Sequence, residues 1–100
     1  MAETVAANRA VAFTPATTYT EVNFSSNGAR RVMVSAVDAG QAIYISFEGS
    51  DGGARNTAKE FPIPDGNALD LGDVGTFYVA APAASGTVAV SCLPPIQVQN

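Results

Sequence analysis

A chain of 100 residues with 47% hydrophobic content supports one folded domain with one modest core. Its net charge of −4, with only five scattered basic residues, excludes the concentrated basic face that nucleic acid demands. No histidine and a single cysteine exclude the usual zinc, haem and triad constellations and any intramolecular disulfide, and no run of about 18 apolar residues offers a membrane-spanning helix.

The apolar content is mostly Ala and Val, with 8% aromatics and no Trp, so each core residue buries little area. The start of the chain lacks a basic n-region and a continuous apolar h-region, so synthesis in a reducing cytoplasm is expected. "AETVAANRAVAF" (2–13) is Ala-rich enough for a short helix, while alternation of Val5, Ala7, Val11 and Phe13 also permits a strand. "TPATT" (14–18) breaks either pattern, and residues 1–17 are read as an arm leading into the domain.

From there period-two patterning dominates. "RRVMVSAV" (30–37) sets Val32 and Val34 against Met33 and Val37, apolar on both faces as in a strand covered on both sides. "AIYISFE" (42–48) places Ile43, Ile45 and Phe47 opposite Tyr44, Ser46 and Glu48. "EGSDGGARN" (48–56) is either a ligand-binding loop or a solvated hairpin tip. In "EFPIPDGNALDLGD" (60–73), Pro62 and Pro64 cannot donate to a ladder and predict an edge strand or the start of one, with Phe61 and Ile63 pointing together into the core. Asp65-Gly66 makes a turn, and Leu69 and Leu71 resume the alternation. "TFYVAA" (76–81) and "TVAVSC" (87–92) complete the strands. Their inner sets are Phe77, Val79 and Ala81, then Val88, Val90 and Cys92; Thr87, Ala89 and Ser91 face the other way. Turn residues at 25–28, 38–41, 49–53, 64–67, 71–73 and 83–86 punctuate the runs, as in an antiparallel sandwich or small barrel. "LPPIQVQN" (93–100) is an extended tail with Ile96 and Val98 as anchors on a neighbour. The predicted organisation is therefore all-β. A small antiparallel sandwich, jelly-roll-like or immunoglobulin-like, spans 18–93, flanked by the arm (1–17) and the tail (94–100).

Chemistry is sparse. Asp65, Asp70 and Asp73 lack the alternate acidic spacing around a central Gly that marks a calcium loop, so residues 60–73 read as a corner, not a metal site. Lys59, the only lysine, sits beside Glu60 at the start of a strand and reads as solvated. Cys92 falls on an apolar strand face as a small core residue. Arg30 and Arg31 either grip an anion or mark the charged beginning of a strand. No acid–base pair or nucleophile constellation can be assembled, so no enzyme and no cofactor is expected.

Residues 42–92 resemble a pattern of small virion proteins of tailed bacteriophages. It is carried by Ile43-Tyr44, Phe61 to Pro64, Gly66, Leu69, Leu71, Phe77-Tyr78, Ala80-Ala81 and Ser85 to Val88. The pattern is structural and contains no catalytic residue. The resemblance implies a capsid decoration (cement) protein on the virion surface, bound to the major capsid protein, with no nucleic-acid or membrane partner. It also implies a homotrimer, and the apolar groups near Val5, Phe13, Ile96 and Val98 are the expected partner contacts. The alternative is a tail, fibre or receptor-binding component touching host glycan, for which Tyr19, Tyr44 and Tyr78 are the available aromatics.

Overall fold

The computed structural model describes residues 2–25, 28 and 30–94, and among them nine strands form two packed sheets. In chain order these are β1 (Glu3–Val5), β2 (Ala10–Phe13), β3 (Thr20–Phe24), β4 (Arg31–Val37) and β5 (Ile43–Ser46). A single 3-10 turn (Thr57–Lys59) precedes β6 (Phe61–Ile63), β7 (Ala68–Gly72), β8 (Phe77–Ala80) and β9 (Thr87–Leu93). One sheet runs β1-β3-β8-β5-β6 and the other β2-β9-β4-β7.

The pairings explain the winding. β2 pairs with β9, β3 with β8, β4 with β7 and β5 with β6, all antiparallel. That is one long hairpin whose turn is the segment 47–60. Rolling it up brings β4 against β9 and β5 against β8, and closes the two sheets. This order is a jelly roll, which decides between the two sandwich types that the sequence left open. β1 is added in parallel on the edge of β3.

Between the sheets lie the inward-facing sets of each strand: Val32, Val34 and Ala36; Ile43 and Ile45; Ile63; Phe77 and Val79; Val88, Val90 and Cys92. Each fully buried Val or Ile contributes about 1.5–3 kcal/mol, so many modest side chains do the work of a few large ones. Tight corners let the sheets close. Gly86, at φ +71, lies so near the 38–39 backbone that a Cβ there would sit 2.3 Å from the Ala39 Cα. Asp65 accepts the Ala39 N–H at 2.8 Å, and Gln41 bonds both the N–H and the carbonyl of Ala83.

Several sequence expectations change. Residues 2–17 do not merely lead into the domain as an arm, because β1 and β2 contribute an edge strand to each sheet. Val5 is 0% exposed in the common core, so it is not an exposed partner contact. The alternation of this Ala-rich segment is a strand signal: Val5 and Val11 face inward, and Pro15 is buried in the connection to β3. Phe13 is half-buried and packs on the core. Ile96 and Val98 lie outside the described residues. β6 is an edge strand, as its prolines require, but only Ile63 enters the core; Phe61 is 52% exposed and meets Phe47, 45% exposed, at 5.7 Å between ring centres. β5 ends at Ser46, whose hydroxyl donates to the Glu48 carbonyl and turns the chain before Phe47 can follow Ile45 inward. β4 is covered on one side only, with Met33 half-buried and Val37 44% exposed on the other.

Candidate interaction face

Each sheet has an outer face, and the two are built differently. On the five-stranded sheet, alternation turns Tyr19 and Glu21 outward beside Tyr78 on β8 and Tyr44 and Ser46 on β5. The segment 47–60 folds back over them. Gly52 donates to the Tyr19 carbonyl at 2.7 Å, the Tyr19 N–H to the Gly53 carbonyl at 2.9 Å, and the Glu21 N–H to Asp51 Oδ1 at 3.0 Å. The turn therefore occupies part of the outer edge of β3, the rest of which β1 covers. Gly49 lies against the tilted Tyr19–Tyr78 ring pair; a Cβ there would sit 2.9 Å from Tyr19 Cδ2.

Glu60 anchors the cover. Its side chain is 2% exposed and accepts two bonds from Arg55, at 3.0 and 2.7 Å, plus one from the Tyr19 hydroxyl at 2.8 Å. The same hydroxyl accepts the Asn56 N–H at 2.9 Å, and the Arg55 guanidinium lies 4.5 Å over the Tyr44 ring. The Arg55 hydrogen bonds hold the Glu60 carboxyl below the ordinary carboxylate range against the opposing effect of burial, and the Tyr19 hydroxyl adds to the lowering. Burial, with the Glu21 carboxylate nearby, pushes the Tyr78 hydroxyl up. Segment 48–56 thus folds back on the sheet, held through Gly52, Gly53, Asp51 and Arg55, while most of its residues stay exposed, as the solvated reading has it. Two of the three tyrosine faces a sugar would need are engaged: Tyr19 is 2% exposed, and Tyr44 is under Arg55.

Among the described residues, the outer face of the four-stranded sheet carries no such cover. Register places two rows across it: Ala10, Ser91, Met33 and Asp70, then Ala12, Ala89, Ser35 and Ala68. Arg31 with Leu93 and Val37 with Thr87 flank the rows at either end. The only charged members, Arg31 and Asp70, neutralise each other at 2.8 Å. Asp70 is held below its ordinary range first by the Gly72 N–H and then by Arg31. At the β4–β7 end the face dips into an open depression of about 330 Å³ lined in part by Ser35, Val37, Asn67 and Ala68. Apart from that depression, which Asp38 also lines, the result is a surface of mostly small side chains, its one ion pair neutralised, with Met33, Val37 and Leu93 as its larger apolar members. It can approach another surface closely and loses little on desolvation.

The remaining candidates are engaged locally. Arg30 and Arg31 diverge: Arg30 stacks 4.7 Å over Phe24 and bonds the Val74 carbonyl at 2.7 Å, while Arg31 takes Asp70. Lys59 pairs with Glu48 at 3.0 Å on the surface, and Cys92 is a buried free thiol. Asp65, in the turn before β7, and Asp70, in the middle of it, make separate local bonds; among the described residues no group of His, Cys, Asp or Glu gathers to hold a metal ion. No described helix is long and apolar enough to cross a membrane. The bare face was the feature not singled out from sequence. Its signal was present: Thr87, Ala89 and Ser91 alternate with the core residues of β9 where a solvated strand face ordinarily carries Lys or Glu. The chain matches no known protein family, no curated protein and no solved structure.

Proposed function

We propose that this chain is a structural component of a tailed-bacteriophage particle, a capsid decoration protein that lays its β2-β9-β4-β7 face on the major capsid protein. The observation that carries the reading is that face: two rows of mostly small residues across four strands, their one charge pair neutralised, with no described segment over them, on a fold that covers its other sheet with its own chain. The virion-protein pattern over residues 42–92 supports the same assignment. A jelly roll accommodates it without selecting it, since viral coat and lectin domains share that winding. Docking contributes by burying Met33, Val37 and Leu93, each adding about 1 kcal/mol from its exposed part, repeated over many copies. The tail or receptor-binding alternative requires an aromatic platform for glycan, and Tyr19 and Tyr44 are both engaged under segment 47–60. Quantitative mass spectrometry of purified particles tests the proposal. A decoration protein is present in on the order of hundreds of copies, as shell symmetry requires; absence from mature particles sinks it, and a handful of copies moves it to the tail.

A further inference from the structure

Four strands lie at sheet edges, and three of them are protected. β6 carries Pro62, β7 is bulged against β4 at Val32/Met33 and carries Asp70, and β1 is three residues long. β2 has none of these devices: "AVAF" contains no proline, no charge and no bulge. The Cys92 N–H bonds the Arg9 carbonyl at 2.8 Å, which fixes the phase of the β2–β9 ladder. Arg9, Val11 and Phe13 then exchange bonds with β9, and the N–H and C=O groups of Ala10 and Ala12 point away from it. Both alanines are exposed, and among the described residues their outward backbone groups have no partner.

We propose that β2 is a strand-addition edge whose occupant is β2 of a second copy, antiparallel about a two-fold axis at Val11. In that register Ala10 faces the second copy's Ala12 and the reverse, satisfying all four outward donors and four outward acceptors that face the seam in two hydrogen-bonded pairs. Arg9, exposed, comes opposite the second copy's Phe13, where its guanidinium gains a ring to lie against. The other four basic residues are already held, by Val74 and Phe24, Asp70, Glu60 and Glu48 respectively.

The size of the bare face argues for a second copy, a point that rests on the docking role proposed above. Strands of four, seven, seven and five residues make a face of about 360 Å², under half the roughly 800 Å² per partner of a stable protein interface. Joining two sheets through β2 produces one eight-stranded sheet and a continuous face of about 700 Å², close to that size. A strand pairing with itself is isologous, so the symmetry it supports is two-fold, in place of the three-fold expected from the resemblance.

Sedimentation equilibrium of the purified full chain, at concentrations up to about 1 mM, is expected to show a weak monomer–dimer equilibrium, because a short edge contact alone lies at the low end of interface size. Ala12→Pro removes an outward N–H without touching the β9 ladder and should abolish the dimer while leaving the far-UV circular dichroism unchanged. Ala10→Lys with Ala12→Lys sets like charges against each other twice and should weaken association about tenfold; Ala10→Lys with Ala12→Glu sets opposite charges together and should restore it. If Ala12→Pro fails to fold, the charge pair decides. A chain that stays monomeric, a trimer, or a Lys/Glu variant that associates no better than Lys/Lys overturns the proposal. None of these results alters the copy number in particles, so the two proposals fail separately.

Discussion

Tyr44 and Ser35 occupy equivalent places, outward-facing positions one strand in from the edges β6 and β7 of their sheets, and meet opposite fates. Tyr44 lies beneath the Arg55 guanidinium, in a layer that includes Tyr19, Tyr78 and Glu60. Ser35 sits in a row of alanines with no described segment over it. The difference is one of chain supply. The 47–60 turn of the rolled hairpin is long enough to fold back over the five-stranded sheet, and no comparable segment among the described residues reaches the four-stranded one. Covered, an outer face can afford aromatics and a buried ion pair and becomes part of the stability of the fold. Uncovered, it stays neutral and small, and its energetic content is available to a partner.

This contrast predicts where mutations hurt folding. The largest effect falls on Tyr19→Ala, which removes a buried ring and the hydroxyl shared by Glu60 and Asn56; a loss of about 3–5 kcal/mol is expected in denaturant unfolding. Glu60→Gln leaves Arg55, whose side chain is 20% exposed, without its anion and should cost about 2–3 kcal/mol, below the roughly 3–5 kcal/mol of a fully buried pair because water still reaches the guanidinium. Gly49→Ala forces a methyl against the Tyr19 ring and should cost about 1–3 kcal/mol.

Acid sharpens the comparison. The folded pKa of Glu60 lies below its ordinary value, so between the two values the unfolded chain binds more protons. The stabilisation is therefore full above the unfolded carboxylate pKa of about 4.3 and is lost as pH falls through the lower folded value. Unfolding followed from pH 6 downward should show this loss in the wild type and a flatter profile in Glu60→Gln, with the Asp70 and Asp51 contributions remaining in both. Equal slopes would mean that Glu60 does not anchor the cover.

Strands were legible in the sequence because each carries an unbroken period of two: Val32 and Val34, Ile43 and Ile45, Phe77 and Val79, Val88 and Val90 all lie inside as their spacing requires. The edge position of β6 followed from Pro62, whose missing N–H leaves no other place. What period two cannot express is what lies over the outward residues. Glu60 and Arg55 are five residues apart and look solvated in sequence; they are drawn inside by Tyr19, which is 41 residues from Glu60. The N-terminal strands were hidden for a similar reason, since three and four residues carry too little pattern to compete with the helix preference of alanine. The bare face was written in Ala89 and Ser91, but small residues announce nothing until the register aligns them with Ala12 and Ser35.

The smallest effect on folding is expected where the largest effect on assembly lies. Ala89→Arg puts a long charged side chain at the centre of the bare face, with solvent in front of it and no core contact to disturb. Its unfolding free energy should stay within about 0.5 kcal/mol of wild type. Added to phage particles stripped of this chain, the variant should fail to rebind, while Glu60→Gln, read at a temperature where it is folded, should rebind as wild type does. Rebinding of Ala89→Arg to full occupancy would place the contact elsewhere on the molecule and contradict the assignment of this face.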